Sequence, residues 1–300
     1  MTHALALVVL VLLGGSAWAD GPERAEGACA DYVRPPVRIG ATPAALRELS
    51  GLVASNRHPG IFWGHNDSEN AFEVIALRAS GEVVSVHRIA GASALDIEDV
   101  ARGPCHGRPL RTCLYLGDIG DNFEMRRQVQ LFEIDEPTAL ETGPVTTRRL
   151  AFRYEDGAHN AEALLADPRT GTLWVVTKRL DDLGRLYRLE NLDADGVGRA
   201  VFVRRLRAPS GFGALTTGGD SHPDAARVLL RTYTGVWEFR GRPGEDVGAI
   251  LAAEPVEVPG PRQPQSEAIA YEANGSSYVV GSEQVGAPIY RVLCEPPAAD

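Results

Sequence analysis

The 300 residues contain no GxSxG elbow, no phosphate-cradling P-loop and no GxGxxG turn, which argues against serine hydrolases and dinucleotide enzymes. No Arg-rich stretch is long enough to build a basic face. With a formal charge of -10 and a pI near 5.3, nucleic acid duplex is excluded as a partner and the acidic balance reads as solubility. None of the four cysteines forms a CxxC pair, which removes zinc and thiol redox chemistry. His58, His106, His159 and His222 are scattered without metal-ligand spacing. The stretch from Asn191 to Gly196 imitates half an EF-hand loop, but its twelfth position is Phe202 instead of Glu, so a hairpin turn is expected there.

Long apolar runs are also missing. The one from Ala4 to Leu13 is shorter than the roughly 20 residues that span a bilayer. Followed by Gly14-Gly15-Ser16 and the small-x-small triplet Ala17-Trp18-Ala19, it reads as a signal peptide over residues 1–19, cleaved before Asp20. Cys29 lies too far downstream for a lipid anchor. A secreted or periplasmic monomer without membrane anchor is expected, with a short N-terminal segment over 20–44 and one domain over 45–300. In an oxidising compartment an even cysteine count favours disulfides. Of the three possible pairings we expect Cys105 with Cys113, stapling a Gly/Pro/Arg loop, and Cys29 with Cys294, tying the two ends together.

A phrase recurs in what remains. Its copies are Leu49-Ser50-Gly51-Leu52, Ile97-Glu98-Asp99-Val100, Ala161-Glu162-Ala163-Leu164, Thr216-Thr217-Gly218 and Ser266-Glu267-Ala268-Ile269. The polar members stand at 50, 98, 162, 217 and 267, and a period of this length signals a propeller or solenoid. β-rich runs follow each copy, such as Ile61-Phe62-Trp63 and Leu173-Trp174-Val175-Val176, separated by turn signals such as Pro59-Gly60 and Asn274-Gly275. Trp63, Trp174 and Trp237 fall on these strands and are assigned to packing. The pattern predicts an all-β fold, a five-bladed β-propeller of four-stranded blades. Its last unit lacks a fourth strand, which Val37-Arg38-Ile39 would supply, closing the ring.

In such a fold the first strands line a central channel, bringing Ser50, Glu98, Glu162, Thr217 and Glu267 to one ring. Two carboxylates about 6 Å apart repel by about 3 kcal/mol at an effective dielectric near 20. They must be protonated or share a cation, and an all-oxygen donor set suits Ca²⁺. The alternative is that these residues hydrogen-bond between neighbouring units.

The order Ser, Glu, Glu, hydroxyl, Glu, opened by Glu48-Leu49-Ser50, resembles the calcium-activated nucleotidases, or apyrases, over roughly residues 45–293, with Thr217 where that family has Ser. The resemblance implies a five-bladed propeller holding Ca²⁺ in its tunnel and hydrolysing nucleoside di- and triphosphates. The chain also resembles a group of secreted bacterial propeller proteins through His65-Asn66-Asp67-Ser68 and Gly117-Asp118-Ile119-Gly120-Asp121-Asn122, a likeness that implies no substrate.

Second strands of the predicted units end in polar residues. Lys178 and Arg231 are candidates for holding phosphate oxygens, and Lys178 with Arg179 matches a basic pair of the nucleotidase pattern. Asp67, Asp118 and Glu283 are candidates to orient a catalytic water beside Ca²⁺. His65, Asn66, Asp121 and Asn122 complete the candidate ligand face for a small, phosphorylated molecule. Three functions compete: a Ca²⁺-dependent phosphohydrolase, a non-catalytic binding protein in which Ca²⁺ is structural, and an esterase or lactonase of the kind other Ca²⁺-bearing propellers support.

Overall fold

The computed structural model describes residues 29, 31–67, 70–192, 196–207 and 214–295; the signal-like segment, Ser68 and the centre of the EF-hand-like stretch lie outside them. In chain order the strands are β1 (Val37–Ala41), β2 (Leu49–Ala54), β3 (Ile61–Asn66), β4 (Glu73–Arg78), β5 (Val83–Ala90), β6 (Ile97–Cys105) and β7 (Arg108–Asp118). Then come β8 (Val129–Asp135), β9 (Gly143–Thr146), β10 (Arg148–Tyr154), β11 (Ala161–Ala166), β12 (Leu173–Thr177), β13 (Gly184–Glu190) and β14 (Val197–Leu206). The rest are β15 (Thr216–Ser221), β16 (Arg227–Thr232), β17 (Val236–Arg240), β18 (Val256–Val258), β19 (Ser266–Tyr271), β20 (Ser277–Ser282) and β21 (Pro288–Leu293). The helical elements delimited among the described residues are a 3₁₀ turn at Ala44–Leu46 and an α-turn at Val247–Ile250. No helix among the described residues is long and apolar enough to cross a membrane.

All-β architecture is what the sequence predicts, but five separate four-stranded blades are not what forms. The strands make four hydrogen-bonded sheets, of four, eight, four and five strands. The eight-stranded sheet runs β11-β12-β13-β14-β10-β8-β7-β6, and its two end strands pack on each other, so it nearly closes on itself. The physical cause is the segment over residues 143–154. It divides: β9 adds in parallel to β5 (His87 opposite Gly143), and β10 adds in parallel to β14 (Ala151 opposite Val197). These parallel ladders carry hydrogen bonding across the boundaries that the sequence period suggests.

Five strands form the innermost layer. β2 packs on β6, β6 on β11, β11 on β15, β15 on β19, and β19 returns to β2. β2, β11 and β19 are buried at every residue, as strands covered on both faces must be. From Ser85 on, β5 instead alternates buried residues with half-exposed or exposed ones. Trp63 and Trp174 are buried within separate apolar clusters between the sheets, and Trp237 packs on the edge of the second.

The two ends of the chain are joined. β1 pairs antiparallel with β21, and the Cys29–Cys294 disulfide lies beside that pairing, with residue 32 bridged to Cys294. Cys105–Cys113 closes the β6–β7 hairpin. The disulfide pairing is the expected one.

Candidate acidic centre of the inner strands

Each copy of the recurring phrase is a break in strand pairing. On β2 the register with β3 shifts between Leu49 and Leu52, on β6 between Ile97 and Asp99, and on β11 between Ala161 and Ala163. On β15 the shift lies between Thr216 and Gly218, and on β19 between Ser266 and Ile269. Ser50, Glu98, Glu162, Thr217 and Glu267 therefore all stand on β-bulges, where an extra residue lacks a cross-strand partner and its side chain is re-aimed.

The five do not act alike. Ser50 Oγ donates to the Glu98 carbonyl at 2.5 Å, and Thr217 Oγ1 to the Ser266 carbonyl at 2.6 Å. Each hydroxyl thus links one inner strand to the next. Glu162 Oε1 lies 3.0 Å from Lys178 Nζ and accepts from Asn160 Nδ2 at 3.1 Å. Lys178 Nζ also donates to the Tyr233 hydroxyl at 3.1 Å. Burial alone would lower the Lys178 ammonium, but the Glu162 carboxylate holds it above its ordinary value. The cation that three inward carboxylates require is thus supplied in part by the chain itself.

For Glu98 and Glu267 the same repulsion appears as a shift toward the protonated form. Burial first, then Glu162, Asp67 and Asp96, push the Glu98 carboxyl well above the usual range, with Lys178 opposing. Burial, Glu283 and Glu162 push Glu267 up to about 9, and Glu267 hydrogen-bonds Glu283. Glu283 Oε2 also accepts from Gln265 Nε2 at 3.2 Å.

Glu98 belongs to a tighter cluster as well. Carboxylate oxygens of Asp67, Asp96 and Glu98 lie within 4.8 Å of one another. Asp67 follows β3, Asp96 ends the connection before β6, and Glu98 comes from the β6 bulge. Glycine at 120 makes room for them, since a Cβ there would collide with Glu98 Oε1 and Asp96 Oδ2. A cavity of about 30 Å³ flanks Asp67, walled by His65, Asn70 and Phe72 among others, enough for one water or ion. Asp96 was missed in the sequence, although the run Asp96-Ile97-Glu98-Asp99 carries the signal.

Most of the remaining candidate residues serve the scaffold. Asp118 is wholly buried, 2.8 Å from Arg126 Nη2 and accepting from Gln130 Nε2 at 2.6 Å. Asp121 accepts from the backbone N–H groups of Met125 (3.0 Å) and Arg126 (2.6 Å), fixing the loop after β7, and Asn122 Oδ1 accepts from Asn160 Nδ2 at 3.3 Å. Asn66 Oδ1 accepts from the Glu48 N–H and its Nδ2 donates to the Ala45 carbonyl. Arg179 pairs with Asp181 at 3.1 Å. His65 is buried with Nδ1 against the Asn66 carbonyl and Nε2 without a partner; burial pushes it down to about 4, so it is neutral. Arg231 is buried too, donating to Gln263 Oε1 at 3.0 Å, and burial pulls its guanidinium down to about 10.

Asp99, next to Glu98, has the strongest structural role of the acids. Its Oδ1 accepts from the Val100 N–H, and its Oδ2 from Leu164 N–H on β11 and Gly219 N–H on β15. Burial holds its carboxyl well above the ordinary range, against the pull of those three N–H groups.

No protein-family model matches the chain, and no curated protein matches it. The likeness to nucleotidases thus rests on the short motifs alone.

Proposed function

We propose that this is an exported, non-catalytic binding protein whose acidic centre holds a divalent cation, Ca²⁺, at Asp67, Asp96 and Glu98. The observation that carries this reading is the convergence of three carboxylates from three separate segments within 4.8 Å. A hard cation with all-oxygen ligands is the species that such a set favours, and it would leave coordination positions for water or a ligand oxygen. Two disulfides support a compartment outside the reducing cytosol.

Phosphate-ester hydrolysis, which the nucleotidase resemblance implies, has less support. Lys178 is held by Glu162 and Tyr233, and Arg231 is buried against Gln263, so neither basic group offers a free fork to a phosphate. Asp118, a candidate for orienting water, is paired with Arg126.

The test is calorimetric titration of chelator-treated protein with Ca²⁺, repeated on Asp96→Asn and Glu98→Gln. We expect one site in the native protein and at least tenfold weaker binding in each variant. Absence of heat and of any Ca²⁺-induced rise in melting temperature would remove the cation from the reading. A nucleotidase assay in the same Ca²⁺ buffer decides between the two functions, with no turnover expected.

A further inference from the structure

At the opposite ends of the inner strands lies a second feature, independent of the acidic centre. Asn56 follows β2, Arg102, Gly103 and Pro104 lie in the C-terminal half of β6, Pro168 follows β11, and Pro223 follows β15. Together with Pro109 to Thr112 of the β6–β7 hairpin they enclose a groove of about 250 Å³. Glu98 and Arg102 are four residues apart on β6, about 13 Å at strand rise, so the groove is separate from the carboxylate cluster.

The walls are stiff, and apolar prolines and a leucine alternate in them with the polar Asn56, Arg102, Arg111 and Thr112. Four of the lining residues are prolines, and Leu110 is fully exposed at the rim. The hairpin carrying Pro109 and Leu110 is closed by the Cys105–Cys113 disulfide and by Asp135, which binds both Arg108 and Arg111. Before Pro168, Asp167 Oδ1 accepts from the N–H groups of Arg169 and Thr170, each at 2.9 Å. Beside Pro223, His222 Nε2 contacts the Gly275 carbonyl at 2.9 Å. Such a frame loses little entropy on binding.

One charge in the lining is uncommitted. Among the described residues the Arg102 side chain makes no hydrogen bond and no ion pair, although it is partly buried and its backbone belongs to the β6–β7 ladder. The carboxyl that its field reaches is Asp220, buried and held by the Tyr271 N–H at 2.8 Å. Burial raises that carboxyl to about 7, which weakens its hold on the guanidinium near neutral pH. Arg111, the other cation of the groove, is already bound to Asp135.

We propose that this groove binds a compact organic anion, its carboxylate or phosphate in the fork of Arg102 and its apolar body against Pro104, Pro109, Leu110 and Pro168. The guanidinium plane matches such oxyanions with two parallel hydrogen bonds, and prolines and leucine suit a flat or aliphatic body. The volume lies just below the ~300–1,000 Å³ of ordinary small-molecule pockets, which restricts the ligand to a small one. On this reading the short disulfide holds a binding wall in place.

The experiment is ligand-observed NMR and calorimetry on the full chain with both disulfides intact, using benzoate, phenyl phosphate and uncharged benzyl alcohol as probes. We expect one of the two anions to bind and benzyl alcohol not to. Arg102→Leu should weaken that anion at least tenfold with the melting temperature unchanged, and Leu110→Asp, at an exposed position, should do the same without risk to folding. Preference between the anions assigns the head group as carboxylate or phosphate. Failure of both anions to bind, equal binding of benzyl alcohol, or full retention of binding in both variants would overturn the proposal. Chelator leaves these results unchanged, so they are read independently of the Ca²⁺ titration.

Discussion

Asp99 Oδ2 accepts the Gly219 N–H at 3.2 Å, joining β6 to β15, two inner strands that are separated in the ring by β11. The same oxygen takes the Leu164 N–H of β11 itself at 2.9 Å. One side chain thus fixes the mutual positions of three strands, and with them the bulges that carry Glu98, Glu162 and Thr217.

Asp99→Ala should therefore be among the most destabilising single changes in the chain. It strands three buried backbone N–H groups, each costing about 1–3 kcal/mol when unpaired. We expect a loss of at least about 3 kcal/mol in urea unfolding, with Asp99→Asn intermediate because it keeps one acceptor oxygen. A loss below about 1 kcal/mol for the alanine variant would show that water or a neighbour replaces the carboxylate.

Gly120→Ala is expected to act on cation binding while sparing the fold. The added methyl collides with the ends of two flexible acids, Glu98 and Asp96, which can swing away, whereas no backbone needs to shift. Ca²⁺ affinity should fall at least tenfold at nearly constant melting temperature, as read by calorimetry and thermal unfolding.

Lys178→Met should have opposite effects on stability and on cation affinity. Removing the ammonium leaves Glu162 buried without its ion-pair partner, a change that typically costs about 3–5 kcal/mol. The same change removes a positive charge that acts on Glu98 and Glu267 and repels a cation at these carboxylates, so added Ca²⁺ should restore more stability to the variant than to the native protein. Equal Ca²⁺-induced shifts in the two proteins would separate Lys178 from the cation site.

Stability in chelator should decline as pH rises from about 4.5 to about 9. Glu267 titrates near 4.5 when unfolded but near 9 in the fold, so the folded state binds the extra proton across that window. Its contribution is fully present below the lower value and is lost as pH passes the upper one. Glu267→Gln, which mimics the protonated acid, should flatten the slope in a series of thermal melts.

The chain-closing disulfide should outweigh the hairpin one. Cys29 and Cys294 are 265 residues apart and Cys105 and Cys113 only 8, and in the loop-entropy account the longer closure restricts the unfolded chain more. Replacing Cys29 and Cys294 by Ser should cost about 2–5 kcal/mol, and replacing the other pair less. The reverse order in chemical denaturation would point to native-state strain or residual structure instead.

Strand content, the disulfide pairing and the five recurring polar positions were legible because each leaves a local mark: β-rich runs, cysteine placement, a recurring polar residue in an apolar run; that these positions stand on bulges was not. Nor was sheet membership. Whether Arg148–Tyr154 ends one unit or bridges to the next depends on which open edge, Val197–Ala200 or another, lies nearest in space, and parallel pairing leaves no signature in either strand. At the site, the period identified Glu98, Glu162 and Glu267. It was silent on Lys178 meeting Glu162, and it made Asp118 look available when Arg126, eight residues on, already binds it. Asp99 was overlooked because two of its three partners are backbone amides of strands more than sixty residues away.

The bulges have a consequence for how this scaffold tolerates change. A residue at a bulge takes no part in ladder hydrogen bonding, so Ser50, Glu98, Glu162, Thr217 and Glu267 occupy sockets that can be refilled without unpicking a sheet. The five sockets form a combination lock whose settings are linked: Ser50 and Thr217 are keyed to a neighbouring strand's carbonyl and Glu162 to Lys178, so re-keying the centre for a different guest means changing these residues together with their partners.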